Sequence, residues 1–345
     1  MSRDHVYIIG AGFSKSLGYP LARELLPEVW RRLNRGDRDR LGRIVQFHHP
    51  SFQPANVDSF PNIENLLTAI AVNEEMFDSS RRAVGNFTQK DLANGRKSIL
   101  VTIEKWFHEI YQSGAAGHAW LDEFRELVQR ENAALISFNW DLVLDHLLYG
   151  SKLSATSYGF SSATKTKPVL LKPHGSLNWF SAPTLTASTR NEIFQDKAAN
   201  TTYFAFLVPR SPISKHGRKY EPLLIPPTYM KRFDKPIFRT LWNECTDVLS
   251  SAKEIHFLGY SMPDEDRHTQ FILHCGLHNQ IEGKLKPDGT RTLGTGKAQV
   301  TIVNPDGGAF KRTKEVVGPA YKCSWIENTV ENWVLRTTQK PRSRV

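Results

Sequence analysis

A glycine-rich turn follows the first apolar run of the chain and has the residues to hold a diphosphate. Its members are Gly10, Ala11, Gly12, Phe13 and Ser14. Glycines permit a tight turn and let backbone N–H groups approach a phosphate at the start of a helix. The third glycine of the full dinucleotide-binding pattern is missing, because Lys15 stands in its place. The same residues also suit an ordinary strand-to-helix turn, so both interpretations stay open.

Two polar residues that follow later apolar runs have side chains suited to bond cleavage at neutral pH. His174 is a candidate general base, because an imidazole titrates close to neutrality. Asn139 is a candidate for orienting a reacting group, because its amide both donates and accepts hydrogen bonds. The structural alternatives are a loop histidine that bonds backbone groups and an asparagine that begins a helix.

Five short apolar runs precede these polar residues and predict a parallel sheet. They span residues 6–9, 134–138, 169–172, 254–258 and 300–303. Most are continuously apolar, which is typical of strands buried on both faces of a parallel sheet. Glycine, asparagine or histidine follows each run, and open parallel sheets bind ligands beyond the carboxyl ends of their strands. We therefore expect an α/β fold with one site assembled from distant parts of the sequence.

The stretch between the first two runs is far longer than a single crossover requires. Residues 63–71 and 99–111 have apolar residues near helical spacing, and residues 121–130 form a further predicted helix. The sequence predicts one domain over 1–345 with a helical insertion at 35–115. The charge-dense run 31–43 favours a solvated helix end and turn.

A second region, 181–222, is rich in small polar residues and basic at 215–219. We expect it to be irregular, with a strand at 203–208.

Composition restricts the class of protein. Apolar residues make up 40% of the 345 residues and charged residues 23%, as in globular proteins. No apolar run approaches the roughly 20 residues that a membrane helix needs, and we expect a cytoplasmic protein. The three cysteines are far apart, which excludes a cysteine zinc motif, and His274 and His278 lack a third ligand at suitable spacing, so no metal is expected. The net charge of +10 is compatible with NAD, RNA, DNA or an acidic protein as partner.

The ordered set of motifs resembles the core of sirtuins. Five elements carry the resemblance: Gly10–Ser14 followed by Gly18-Tyr19-Pro20 and Arg23, then 137–141, 173–176, 259–261 and 302–304. Two departures argue against a deacylase. The four-cysteine zinc ribbon that follows the sirtuin histidine is absent, and Leu21 and Ala22 replace its Asp-Phe pair. The elements 138–141, 173–179 and 259–266 are similar instead to those of sirtuin-like NAD hydrolases of bacterial antiphage defence.

The resemblance implies a sirtuin-like Rossmann core and NAD as the substrate, and it assigns roles to further residues. Asp141 would meet the nicotinamide carboxamide, although it could equally cap the following helix. Gly259 and Ser261 would approach phosphates or ribose, and Asn304 the adenosine ribose. Arg23 would face a phosphate or form a surface ion pair. The acidic run 263–266 favours a helix start over a role in the site.

The sequence therefore predicts cleavage of NAD to nicotinamide and ADP-ribose, with Asn139 and His174 as catalytic residues. The family resemblance further implies NAD depletion and abortive infection in antiviral defence. It also implies control by homo-oligomerisation or by a partner such as a HerA-type hexameric ATPase or an Argonaute-type protein. The alternatives are a nucleic-acid-binding or nuclease subunit, a deacylase or ADP-ribosyltransferase, and a sensor that binds NAD or ADP-ribose without turnover.

Overall fold

The structure is a computed structural model that describes residues 3–76, 88–114, 118–150, 152–161, 168–184, 191–206, 221–225, 235–264 and 266–338. It divides into two compact units. The first, here the sheet unit, comprises Met1–Gly18, Gly114–Leu224 and Phe233–Val345. The second, the helical unit, comprises Tyr19–Ser113 and Ile225–Arg232.

All strands of the described residues lie in the sheet unit. In chain order they are β1 (His5–Ile9), β2 (Ala134–Ser137), β3 (Val169–Leu171), β4 (Gly175–Pro183), β5 (Glu192–Asp196), β6 (Thr201–Ala205), β7 (Glu221–Leu224), β8 (Glu254–Leu258), β9 (Gln299–Val303) and β10 (Cys323–Ile326).

The helices are shared between the two units. They are α1 (Ala11–Ser14), α2 (Ala22–Arg32), α3 (Arg35–His48), α4 (Ile63–Met76), α5 (Gln89–Gln112), α6 (Ala119–Arg130), α7 (Val143–Tyr149), α8 (Pro236–Ser251), α9 (Arg267–Glu282), α10 (Gly307–Val317) and α11 (Val330–Thr338). Over the part of the chain described, none of these helices has the length and apolar character needed to cross a membrane.

Six strands form a parallel sheet in the order β10-β9-β8-β1-β2-β3. Counted in the order in which its strands occur along the chain, this is 6-5-4-1-2-3, the Rossmann arrangement, whose direction reverses between strands one and four. The predicted α/β class with a parallel sheet flanked by helices is therefore confirmed. The central strands are buried because their apolar side chains are covered on both faces; Val6, Ile8 and Ile9, for example, are 0% exposed.

The sixth strand of this sheet was not predicted. Within the described residues β10 pairs with β9 alone, and its residues are half-buried or exposed because it forms the edge of the sheet. The sequence Cys-Ser-Trp-Ile lacks the continuous apolar character of the inner strands. An edge strand forms largely because it makes hydrogen bonds to the neighbouring strand. The pattern of apolar residues in the sequence does not predict such pairing.

The described residues of the expected irregular region contain strands of a second sheet, so for those residues the prediction of irregular structure was wrong. β5, β6, β4 and β7 form an antiparallel sheet in that order. β4 is buried along all but its last residue although it contains serine, asparagine and glycine, whose polarity conceals a strand from apolar patterning. The expected strand at 203–208 corresponds to β6, displaced toward the amino terminus; residues 207 and 208 and the basic run 215–219 lie outside the described residues.

The helical unit contains α2 to α5, and the predicted helices at 63–71 and 99–111 are confirmed within α4 and α5. α5 begins with a capping box, in which Thr88 accepts a hydrogen bond from the Asp91 N–H and the Asp91 carboxylate accepts from the Thr88 N–H. These bonds hold the pKa of Asp91 below its ordinary value. α3 packs closely on α5 at Gly95, where a Cβ would lie 2.8 Å from Cδ1 of Ile44. Residues 77–87 and 115 of the expected insertion lie outside the described residues.

Candidate active site

The carboxyl ends of five parallel strands are joined by backbone hydrogen bonds in which the residue after one strand donates to the last residue of the neighbouring strand. These bonds run from Phe138 N to Ile9 O (3.1 Å), from Gly10 N to Leu258 O (3.1 Å), from Gly259 N to Val303 O (3.0 Å) and from Asn304 N to Ile326 O (3.2 Å). The reversal point between β1 and β8 lies within this row, and such a point is where open α/β sheets bind ligands. Most of the predicted site residues therefore meet at one edge of the sheet unit.

The glycine turn after β1 packs directly on the turn after β8. A Cβ at Gly10 would lie 2.5 Å from Cα of Tyr260, and one at Gly12 would lie 2.8 Å from Cα of Gly259. Gly259 has a φ of +61°, and a Cβ there would lie 2.4 Å from the Phe13 backbone nitrogen. Three glycines are thus required by the close approach of two backbones.

Asn139, Ser14 and Asp141 form a chain of hydrogen bonds across this edge. The side-chain amide of Asn139 donates to Gly10 O (3.0 Å) and to Ser14 Oγ (3.4 Å). The Ser14 hydroxyl in turn donates to Asp141 Oδ2 (2.8 Å). Because the amide nitrogen is held on one side, the orientation of the Asn139 amide is fixed by the glycine turn.

Asp141 is enclosed by protein groups. It is 6% exposed, and its Oδ1 accepts a hydrogen bond from the Val143 N–H at the start of α7 (3.1 Å). Burial raises the pKa of the Asp141 carboxyl, while Lys172, Ser14 and the Val143 N–H act to lower it. Leu142 is the N-cap residue of α7 and its side chain makes no capping bond, so Asp141 satisfies the first helical N–H from one position before the N-cap.

A buried lysine, missed by the sequence analysis, connects the Asn139–Asp141 segment with the segment of His174. The Lys172 ammonium donates to Asp141 O (2.6 Å), Asp145 Oδ2 (2.8 Å) and Ser176 Oγ (2.7 Å). The Tyr158 hydroxyl donates to the other oxygen of Asp145 (2.5 Å). Burial raises the pKa of Tyr158, and the negative charge of Asp145 raises it further. The phenol therefore stays protonated and can donate its hydrogen bond. The only signal in the sequence was a lysine directly after an apolar strand.

His174 lies beside a buried carboxylate that the sequence analysis interpreted mainly as a helix start. Its Nε2 is 3.9 Å from Oδ1 of Asp266, and its side chain is 11% exposed. The hydroxyls of Tyr260 (2.8 Å) and Thr269 (2.6 Å) both donate to Oδ2 of Asp266. Asp266 does precede α9, but its side chain makes no capping bond there and instead faces Tyr260 and His174. The two hydroxyls hold the Asp266 carboxylate close to the imidazole, where a negative charge favours a nearby positive one.

Aromatic rings surround the imidazole of His174. Its ring centroid lies 5.0 Å from that of Phe138 and 6.2 Å from that of Trp242, and the ring centroids of Phe138 and Tyr260 are 5.2 Å apart. Water is partly excluded from such an environment. Hydrogen bonds and charge interactions made by the imidazole are therefore stronger than at an exposed surface.

The remaining predicted residues have different surroundings. Phe13 is a core residue, 5.2 Å from the Trp120 ring, so only its backbone borders the site. Asn304 donates to Tyr260 O (3.2 Å) and accepts from the Asp306 N–H (2.9 Å). Ser261 is exposed, and its backbone carbonyl accepts a hydrogen bond from the Arg312 side chain. Ala11 is half-buried, and Arg23 is an exposed residue of α2 in the helical unit.

Comparison with known proteins gives one kind of match. No family model and no curated protein matches the chain. Among solved structures, a Sir2 homologue mutant in complex with 2′-O-acetyl-ADP-ribose is 12% identical with a TM-score of 0.45, covering 99% of this chain and 93% of its own. A Sir2 homologue in complex with NAD is 12% identical with a TM-score of 0.44, covering 97% and 89%.

Proposed function

We propose that the chain is an NAD hydrolase that cleaves the nicotinamide–ribose bond and releases nicotinamide and ADP-ribose. The observation that carries the proposal is the pairing of His174 with the buried Asp266, at the same sheet edge as the fixed amide of Asn139. This edge is the reversal point of a Rossmann-ordered sheet. A nucleotide would bind across it, with its ribose toward Asn139 and His174.

The chemistry needs a positioned water and a group that accepts its proton. Departure of nicotinamide leaves positive charge on the ribose, as in glycoside hydrolysis, and the oxygen of water then bonds to that carbon. His174 takes the proton that the water loses, and Asp266 stabilises the resulting imidazolium. Asn139 orients the ribose and the water, while the aromatic rings limit access of bulk solvent.

The further residues of the proposed site act through position. Gly10, Ala11, Gly12 and the backbone of Phe13 border the diphosphate, and Ser14 supports Asn139. Gly259 and Ser261 would lie toward phosphates or ribose, Asn304 toward the adenosine ribose and Asp141 toward the carboxamide. This last set of roles follows from the family resemblance.

A turnover assay tests the proposal. The purified chain is incubated with NAD and its products are separated by chromatography, beside His174→Ala and Asn139→Ala. We expect nicotinamide and ADP-ribose from the wild type, and a loss of about 10²–10⁴-fold for His174→Ala with circular dichroism unchanged. His274→Ala is the matched control, because its imidazole lies on the exposed side of α9 and bonds Val316 O (3.1 Å). Equal activity in His174→Ala would refute the assignment.

The products also separate the alternative reactions. An ADP-ribosyltransferase would label protein, and a deacylase would consume an acylated peptide. Absence of turnover would be followed by a measurement of NAD binding to the same sample. Tight binding would indicate a sensor or an enzyme that awaits activation, and absence of binding would exclude the site. We further propose that the activity serves antiphage defence in the cytoplasm under control of self-assembly or a partner, as the resemblance implies.

A charged groove in the helical unit favours nucleic-acid binding as a second candidate function. The groove, of about 610 Å³, is lined on α5 by Lys97 and Lys105 and on the opposite side by Arg32 and Arg40. Asp37 and Glu109 also line it, so its charge is mixed. This function predicts a DNA affinity that falls steeply with salt, is unaffected by His174→Ala and is weakened by Lys97→Ala combined with Lys105→Ala.

A further inference from the structure

A cluster of two imidazoles and two carboxylates lies at the amino-terminal edge of the parallel sheet. His5 begins β1 and Glu254 begins β8, and these two residues are paired in register. His256 lies two positions after Glu254 on the same strand. The side chains of His5, Glu254 and His256 therefore project from the same face of the sheet. Glu131 follows the end of α6 and approaches the same imidazole of His5.

The donor atoms are spaced as a transition-metal site requires. One donor atom from each of His5, Glu254 and His256 lies within 4.8 Å of the others. The separations are 3.3 Å between His256 Nε2 and Glu254 Oε2, and 3.8 Å between His5 Nδ1 and Glu254 Oε2. Ligands about 2.0–2.2 Å from a tetrahedral Zn²⁺ are roughly 3.4 Å apart, so small movements would complete the geometry.

Two features favour a cation at this position over a cluster held by hydrogen bonds alone. Nδ1 of His5 is buried and makes no hydrogen bond within the described residues, while the Glu131 and Glu254 carboxylates lie 3.6 Å and 3.8 Å from it. The Tyr7 hydroxyl donates to Glu131 Oε2 (2.5 Å). This hydrogen bond fixes the Glu131 carboxylate either as a metal ligand or as a group that orients a ligand.

We propose that His5, Glu254 and His256, with Glu131 beside them, bind a divalent transition-metal ion, best Zn²⁺. Imidazole nitrogen and carboxylate oxygen together match the preference of Zn²⁺. The site lies at the opposite end of β1 and β8 from the candidate active site, so the ion links the start of two strands and the end of α6 without taking part in cleavage. It is independent of the proposed function.

Metal titration of the untagged full chain tests this site. After removal of metal with a chelator, Zn²⁺ is titrated by calorimetry, and Co²⁺ absorption reports whether the ligands are nitrogen and oxygen or thiolate. We expect one tight site per chain, weakened at least about 100-fold in Glu254→Gln and in His5→Gln. Both side chains are partly exposed, at 47% and 26%, so these variants should fold. Zn²⁺ should also raise the thermal midpoint of the wild type and not that of the variants.

The matched control is His278→Gln, which removes an exposed imidazole from the helical pair on α9. Binding that is unchanged in this control and lost in Glu254→Gln supports the site. Three outcomes would overturn it: wild-type affinity no greater than that of both variants, loss of binding in His278→Gln, or a thiolate signature in the Co²⁺ spectrum.

Discussion

Replacement of Lys172 by methionine should destabilise the protein strongly. Lys172 and Asp145 are 1% and 0% exposed, and all three N–H donors of the ammonium are used. Lys172→Met leaves the Asp145 charge buried, and among the described residues only the Tyr158 hydroxyl still donates to it. Removal of one partner from a buried ion pair costs about 3–5 kcal/mol, which lowers the folding equilibrium constant roughly 160- to 5,000-fold.

An exposed pair in the same unit supplies the control. Lys253 and Asp4 are joined at 2.7 Å, close to the 2.8 Å of the buried pair, but are 74% and 51% exposed. Lys253→Met should therefore cost at most about 1 kcal/mol. Urea unfolding followed by near-ultraviolet circular dichroism measures both variants under one condition, and the difference between them isolates the effect of burial.

A double-mutant cycle decides whether the uncompensated charge causes the loss. Lys172→Met combined with Asp145→Leu removes both charges, so the double variant should be more stable than the sum of the two single losses predicts. The reasoning would be refuted by single losses below about 1 kcal/mol, or by losses that simply add. Because Lys172 also bonds Asp141 O, the single variant should lower the turnover of NAD as well.

Three further predictions concern stability and reactivity. Gly259→Ala should cost at least about 1 kcal/mol more than Gly318→Ala in urea unfolding, because both have positive φ but only the first would place a Cβ against another backbone; equal costs would contradict the close packing. Burial lowers the pKa of His48, whose Nε2 meets Asn73 Nδ2 at 2.9 Å, so the unfolded chain takes up more protons as the pH falls through about 6.5. The free energy of unfolding should therefore fall in that range, and less so in His48→Gln; an equal fall in both would exclude this cause. Burial raises the pKa of all three cysteines, but only Cys245 is fully buried, so a thiol reagent should modify only the partly exposed Cys275 and Cys323 until the protein unfolds; rapid modification of all three would contradict the packing of α8.

The fold was predictable where local sequence and final environment agree. The runs that became β1, β2, β3, β8 and β9 are apolar because both faces of those strands are covered. β4 was missed because its serines and asparagine are buried by tertiary contacts; Asn178, for example, donates to Phe206 O across the sheet (2.9 Å). Such a bond joins residues far apart in the sequence, and apolar patterning holds no record of it.

The site was predictable at the strand ends and not beyond them. Asn139 and His174 were identified because a parallel sheet brings the residues after its strands to one edge. Their supporting groups were not, since the Ser14–Asp141 bond spans 127 positions and the partner of His174 is a carboxylate at a helix start. A helix start is a common place for aspartate, so its residue type alone gave no reason to prefer the site.

The glycine turn combines the two interpretations that the sequence left open. Gly12 N–H donates to Gly259 O (2.9 Å) and Phe13 N–H donates to Gly10 O (3.0 Å), so in this conformation neither amide is a donor for a diphosphate. The close approach of the two turns would require glycine even without a ligand. His174 is different, because packing among aromatic rings alone would favour an apolar side chain, yet an imidazole lies there beside a carboxylate that two hydroxyls hold. The proposal of catalysis therefore depends on this pairing more than on the glycines.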